Sequence, residues 1–250
     1  MTLTGKHALV TGGGTGIGLA IARALADEGA VVTITGRRQE VLDKVSTDRI
    51  AGMVMDVRDE ENVVTGIADA VEARGPIQVC VANAGIAMGK TLQKTDMAFW
   101  RDIMATNLDG AFLTIRESLR SMLETDWGRV ISVASIAGLR GAPGAGAYAA
   151  SKHGLIGLTR SYSEEFMGKP YTFNALCPGY VDTPIVERNI TSISERAGIS
   201  QQDALKAMVD QNRHKRLIVP EEVAAAALWL VRPGSQSING QCIEISGGQT

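Results

Sequence analysis

Tyr148 and Lys152 stand four residues apart in the segment Tyr148-Ala149-Ala150-Ser151-Lys152. In a helix that spacing places both side chains on one face. An ammonium beside a phenol favours the phenolate and lowers the tyrosine pKa from about 10 towards neutrality. Such a tyrosine gives a proton to a carbonyl oxygen or takes one from an alcohol. Taken alone, the spacing is also that of a common surface pair.

A second constellation is Thr11-Gly12-Gly13-Gly14-Thr15-Gly16-Ile17-Gly18, which joins a strand-like run to a helix-like one. A glycine-rich turn in that context brings backbone N–H groups and a helix N-terminus against a pyrophosphate. The glycine spacing differs from the common G-x-G-x-x-G dinucleotide pattern, and a plain tight turn is the alternative reading. A carboxylate at the end of the second strand would hydrogen-bond the adenosine ribose and select NAD. Gly36-Arg37-Arg38 stands there instead. Two guanidiniums suit a 2′-phosphate, so the expected cofactor is NADP rather than NAD. Asp56, beside Val57 at the expected end of strand three, could accept from the adenine amino group or simply shape a turn.

These groups need a scaffold, and the hydrophobic pattern supplies one. Strand-like runs lie at 7–11, 31–35, 52–57, 77–83, 129–135, 171–177 and 241–245. Helical patterns fall between them. One starts near Gly16, with Ile17, Ala20, Ile21, Ala24 and Leu25 on a face. Another spans 59–74, with Val64, Ile67, Ala68 and Val71 on a face. Two helices broken near Asn107-Leu108 fill 96–125, and others cover 147–167, 184–214 and 221–231. Strands alternating with helices imply an α/β fold: a doubly wound, Rossmann-type parallel sheet of about seven strands with helices on both faces. The unbroken apolar runs at 77–82 and 130–134 agree, because parallel strands are buried on both sides.

Composition narrows the function classes. With 250 residues, 45% apolar and 21% charged, one domain over 1–250 is expected. The net charge of −2 gives no reason to expect nucleic acid or an anionic membrane as partner. Cys80, Cys177 and Cys242 are scattered, which argues against a disulfide framework and for a reducing compartment. His7, His153 and His214 have no ligand partner at metal-site spacing, so no metal is expected. The longest apolar run, 223–231, is too short to span a membrane, and residues 1–11 lack a targeting signal. A cytoplasmic place is the expectation.

The ordered set of motifs resembles the short-chain dehydrogenase/reductase family in its compact form, close to 3-oxoacyl-thioester reductases and 3-hydroxybutyrate dehydrogenases. The motifs are TGGGTGIG (11–18), Asp56-Val57, Asn83-Ala84-Gly85, Asn107, Ser135, YAASK (148–152) and PGYVDT (178–183), spread along essentially the whole chain. The resemblance implies a catalytic set of Asn107, Ser135, Tyr148 and Lys152. Ser135 would hydrogen-bond the substrate carbonyl, with Ser132 the rival serine in that strand. Lys152 would also hold the nicotinamide ribose, and Asn107 would kink its helix and hold a relay water. Thr11, Gly12, Gly14, Thr15, Gly16, Ile17 and Gly18 would cradle the cofactor, with Asn83, Ala84 and Gly85 along the adenosine-ribose side. Pro178, Gly179, Val181 and Thr183 would hold the nicotinamide end. Ala82 and Ala134 stand where the family often has a second Asn and a second Ser, and Thr15 stands where some NADP-using members carry a cation.

Segments 86–94, 136–147 and 180–215 should border the substrate, with a lid over about 184–215. The middle segment, IAGLRGAPGAGA, holds only one charged side chain, Arg140. Family members that act on free 3-hydroxy acids hold the carboxylate with His and Lys in this loop. Ala137 and Ala145 stand in roughly those places, and Tyr180 replaces their usual Trp. The expected reaction is therefore NADP(H)-dependent reduction of a 3-oxoacyl thioester such as acetoacetyl-CoA, with Ser135, Ala137, Arg140, Tyr148 and Tyr180 facing the substrate. The rivals are an NAD-linked dehydrogenase of a 3-hydroxy acid, polyol or sugar, and a non-catalytic nucleotide-sensing protein. Helices 96–125 and 147–167 resemble the family's dimerising pair, and a homotetramer is implied.

Overall fold

The computed structural model describes residues 3–248, so the extreme ends of the expected 1–250 domain lie outside the described residues. Seven parallel strands form one sheet in the order β3-β2-β1-β4-β5-β6-β7. They are β1 His7–Thr11, β2 Val31–Gly36, β3 Ile50–Val54, β4 Ile77–Ala82, β5 Gly128–Val133, β6 Tyr171–Pro178 and β7 Cys242–Ile245. The order reverses between β1 and β4, and the crevice beyond their carboxyl ends is where such sheets bind ligands. One core cluster packs Val10, Ile34, Val81 and Ile131 against Leu25 of helix α1 (Gly16–Asp27) and Leu230 of α9 (Pro220–Val231). The opposite cluster packs Leu9, Cys80, Val130 and Phe173 against Ile67 of α3 (Glu60–Arg74) and Ile115 of α5 (Gly110–Met122).

Several boundaries differ from the pattern reading. β3 ends at Val54, because Gly36 is the last residue of β2 and pairs with Val54. Asp56 and Val57 thus leave the sheet and enter the turn before α3. A short helix, α2 (Gln39–Asp43), follows Arg38; five residues are too few to show periodicity. α3 starts one residue after its N-cap Asp59, whose side chain accepts from Asn62 N–H. Its buried face is Val63, Gly66, Ile67 and Ala70, whereas Val64 is 40% exposed. A glycine on the packed face (Gly66, against Met55 and Met53) carries no hydrophobic signal and rotated the expected stripe.

The expected break at Asn107-Leu108 is not a break. α4 (Met97–Met104) runs through a π-helical turn at Ala105–Asp109 into α5 without interruption. α6 covers Gly146–Glu165. The stretch expected as one helical region at 184–214 is two helices, α7 (Pro184–Ala197) and α8 (Gln201–Val209). Gly198, in the left-handed region at φ 65°, ends α7, and Ser200 caps α8.

Candidate active site

β1 delivers the chain to the glycine turn, and α1 carries it away. Gly12 has φ 64°, and a Cβ there would meet Asn83 Nδ2 at 3.0 Å and Ala84 Cα at 3.1 Å. A Cβ on Gly18 would lie 2.5 Å from both Gly12 O and Asn83 Nδ2. The turn therefore folds flat against the end of β4 only because these positions lack side chains. The unpaired N–H groups of the first turn of α1 point outward over it. Thr15, at the N-cap, makes no side-chain cap bond. Thr183 closes the far wall, with its Cγ2 3.0 Å from where a Gly16 Cβ would stand. The resulting groove, floored by backbone and closed by small residues, fits an extended dinucleotide.

Thr11, expected to touch cofactor, is 1% exposed. Its hydroxyl accepts from the N–H groups of Asn83 and Ala84, both at 3.0 Å. Asn83 Nδ2 in turn donates to Thr11 O at 2.8 Å. Thr11 is therefore a brace that ties the glycine turn to β4, and it acts through its neighbours. Gly13, inside the glycine motif but given no role at the cofactor, is packed on Ile34, where a Cβ would meet Ile34 Cβ at 2.6 Å.

At the adenosine end, Arg37 and Arg38 leave β2 as exposed side chains. Asp56 stands close by. Arg58 grips it with Nε donating to Oδ1 at 3.0 Å and Nη2 to Oδ2 at 2.6 Å. That fork, helped by the field of Arg37, holds the Asp56 carboxyl below the usual range despite partial burial. Arg58 also reaches Asp102 on α4 at 3.3 Å. Nothing in the spacing of the sequence distinguished Arg58, because the contact depends on the turn after β3.

The reactive groups meet at the carboxyl ends of β4, β5 and β6. Ser135, 8% exposed, follows β5, and its Oγ accepts from Ala137 N–H at 3.1 Å. Tyr148 lies in the first turn of α6, half-buried, with the Ser135 side chain beside its hydroxyl. Ser132, the rival, is turned the other way: it accepts from Thr159 Oγ1 at 3.1 Å inside the core. Lys152, 4% exposed, donates from Nζ to Val133 O at 2.8 Å and stands 5.8 Å from the centre of the Tyr148 ring.

The electrostatics reverse one expectation. Desolvation pushes the Tyr148 phenol above its ordinary pKa; the neighbouring Ser135 side chain opposes this, and no lowering by Lys152 enters. Burial also depresses Lys152 itself, to about 8. Desolvation outweighs the attraction between the two groups because the ammonium faces the Val133 carbonyl and not the phenol oxygen. At neutral pH the tyrosine thus stands protonated.

Asn107, fully buried in the π turn, closes a pair of bonds on Ile86, with Oδ1 accepting from its N–H at 2.8 Å and Nδ2 donating to its O at 2.9 Å. It also donates to Ser151 Oγ at 3.1 Å. This ties the loop after β4 to α6 at Ser151, the residue before Lys152. Gly85 threads between, where a Cβ would meet Asn107 Oδ1 at 3.2 Å and Lys152 Nζ at 3.6 Å.

Beyond β6, Gly179 N–H is held by Ile245 O at 2.9 Å, and Val181 bridges Ile218. Thr183 Oγ1 donates to Val181 O at 3.2 Å. Tyr180 projects beside Tyr148, and the nearby Arg140 cation opposes the rise that burial imposes on the Tyr180 pKa. Ala137 is buried in the short turn after Ser135, and Arg140 is exposed at its end. Asn212 was missed from the sequence. Fully buried, it accepts from Tyr180 N–H at 3.3 Å and donates to Tyr180 O at 3.1 Å and Arg216 O at 2.8 Å. It clamps the Tyr180 loop to the segment after α8.

Comparison with known proteins agrees with this construction. The pattern of the short chain dehydrogenase family matches residues 6–193. The D-beta-hydroxybutyrate dehydrogenase of Rhizobium meliloti (strain 1021) is 34% identical, with 98% of each chain covered. A putative ketoacyl reductase of Streptomyces coelicolor is also 34% identical, over 99% of this chain and 98% of the relative. The crystal structure of a variant actinorhodin polyketide ketoreductase with NADPH superposes with a TM-score of 0.95 at 33% identity, covering 99% of this chain and 98% of that one. With the doubly wound sheet and the matched motifs, these findings establish that the chain is an oxidoreductase belonging to the short chain dehydrogenase family.

Proposed function

We propose that the protein is an NADP(H)-dependent ketoreductase that reduces a 3-oxoacyl thioester such as acetoacetyl-CoA. The observation that carries the reading is the Tyr148 hydroxyl beside Ser135, with Lys152 5.8 Å from the centre of its ring and the glycine groove alongside. When bound, the nicotinamide supplies the hydride. Ser135 and Tyr148 would both hydrogen-bond the ketone oxygen, and Tyr148 would give it the proton. Lys152 would hold the nicotinamide ribose and return a proton to Tyr148. Asn107 is a positioning residue, since it fixes the loop after β4 against α6. Gly12, Gly14, Thr15, Gly16, Ile17 and Gly18 would carry the pyrophosphate. Asn83, Ala84 and Gly85 would border the ribose side, and Asp56 and Val57 the adenine. Pro178, Gly179, Val181 and Thr183 would hold the carboxamide end.

Two exposed guanidiniums, Arg37 and Arg38, support NADP over NAD. The relative solved with NADPH points the same way. The small, uncharged wall at Ala137 supports a substrate without a free carboxylate, with Tyr180 and Arg140 at its rim. α7 and α8 would close over it as a lid. By the same likeness, the chain would form a cytoplasmic homotetramer through α4–α6; among the described residues no helix is long and apolar enough to cross a membrane.

Initial rates with acetoacetyl-CoA, taken with NADPH and NADH side by side, test this reading. Fast oxidation of NADPH and slow oxidation of NADH are expected, and Arg37→Asp should raise the KM for NADPH about 10–100-fold with little change for NADH. Turnover of free 3-hydroxybutyrate with NAD in preference to the thioester would replace this reading with the acid dehydrogenase.

A further inference from the structure

At the opposite end of the strands from the reactive groups lies a second concave site, a cavity of about 280 Å³ beneath the start of β5 and β6. Arg129 is in its wall, only 3% exposed. A guanidinium that deeply buried ordinarily has a carboxylate partner, because desolvating an unpaired charge is costly. Arg129 has none among the described residues, and no Asp or Glu lines the cavity. Its support is a stack on the Trp127 ring, 4.6 Å from Cζ to the ring centre, and two carbonyls. Both carbonyls, Gly128 O at 2.8 Å and Pro170 O at 3.3 Å, are bound by Nη1.

The other edge of the guanidinium is idle. Nε is shut off from bulk solvent and has no hydrogen-bond partner, and Nη2 makes no hydrogen bond among the described residues. Nε and Nη2 are the parallel pair of donors that matches the two oxygens of a carboxylate. The neighbouring strand adds to the pattern. Thr172 pairs in register with Arg129, so both side chains leave the sheet on the same face. Thr172 also lines the cavity, and its hydroxyl is buried without a partner. Only four such orphan side-chain atoms occur among the described residues, and two of them stand side by side here. Lys169 brings a further cation to the mouth, and Lys6 lies 5.4 Å from the Trp127 ring centre.

We infer that this cavity is a carboxylate-binding site, in which Arg129 takes the two oxygens side-on through Nε and Nη2 and Thr172 donates to one of them. The carboxylate comes from a small free acid or from an acidic group of a second copy of this chain. The site is independent of the reaction proposed above, since it lies at the other end of the sheet.

Thermal unfolding in sodium acetate against sodium chloride at equal ionic strength tests the inference, with mass measured by sedimentation equilibrium. For a free acid, acetate at tenfold its Kd should raise the wild-type Tm by about 3–6 °C in a saturable way, and Arg129→Met should lose the rise. For a carboxylate from a second copy, acetate should give no rise, and Arg129→Met should at least halve the wild-type mass at the same concentration. Thr172→Val should weaken whichever effect is seen several-fold, and it serves alone if Arg129→Met does not fold. Equal Tm in both salts with unchanged variant mass overturns the inference. So does an acetate rise that both variants retain in full.

Discussion

A half-buried phenol that stands beside a serine and lies 5.8 Å, ring centre to ammonium, from a buried lysine is arranged to give a proton at neutral pH. Holding Tyr148 above its ordinary pKa favours reduction, where the neutral phenol is the acid, over oxidation, which requires the phenolate. Tyr148→Phe should lower kcat/KM for ketone reduction by about 10²–10⁴, the range for a lost general acid, with an unchanged circular dichroism spectrum. Near-normal turnover in that variant would remove Tyr148 from the mechanism. Lys152 sets the pH dependence. Its pKa is pushed down to about 8, so it is cationic below that pH and neutral above it. The kcat/KM for reduction should be flat near pH 6–7 and fall about tenfold per unit above about 8, because this ratio reports the free enzyme. The same shift links to stability with a definite sign. An unfolded lysine keeps its proton until about 10.4. Between the two values the unfolded chain binds more protons, and this group's contribution to stability rises with pH.

Among the elements, the turns and helix ends decide whether the reactive groups stay in register. The π turn at Ala105–Asp109 lets one continuous rod carry Asn107 inward while α5 remains packed on α3 and β4. On the other rim, α7 and α8 form an antiparallel-type hairpin joined at Gly198, and Asn212 anchors its return to the Tyr180 loop. Asn212→Ala would strand the Tyr180 N–H, while Tyr180 O keeps Ile218 N–H as a donor, at a cost of about 1–3 kcal/mol. The expected result is a lower urea midpoint and a larger rise in the KM for ketone than fall in kcat, since the Tyr180 loop loosens while Tyr148 and Lys152 keep their supports. A fall confined to kcat would show that the clamp serves the chemistry and not the lid.

The whole molecule places its reactive end where the strand order reverses, between β1 and β4. A ligand seated there contacts both halves of the sheet at once, so its binding should stabilise the folded state as a unit. At 100 times its Kd, a ligand adds about 2.7 kcal/mol, which is about 5–10 °C in Tm for a chain of this size. NADPH should produce that shift in calorimetry, and NADH at the same concentration a smaller one. Equal shifts would remove the assigned preference for the 2′-phosphate.

Sequence alone determined the alternation of strands and helices, the glycine turn, and the order of Asn107, Ser135, Tyr148 and Lys152 along the chain. These were legible because periodicity and glycine spacing are local, and each follows from backbone geometry within a few residues. Where partners come from distant parts of the chain, the tertiary structure decided. It turned Ser132 into the core and Ser135 towards Tyr148. Thr11, expected at the cofactor, became a brace, Arg58 was set on Asp56, and Asn212 reached Tyr180 across 32 residues. It also fixed the sign of the Tyr148 shift. Residue types predict an attraction between phenol and ammonium, but burial and the direction of Lys152 Nζ, towards Val133 O, exist only once the strands and α6 are packed. Desolvation is a property of the assembled surroundings, and no local spacing encodes it.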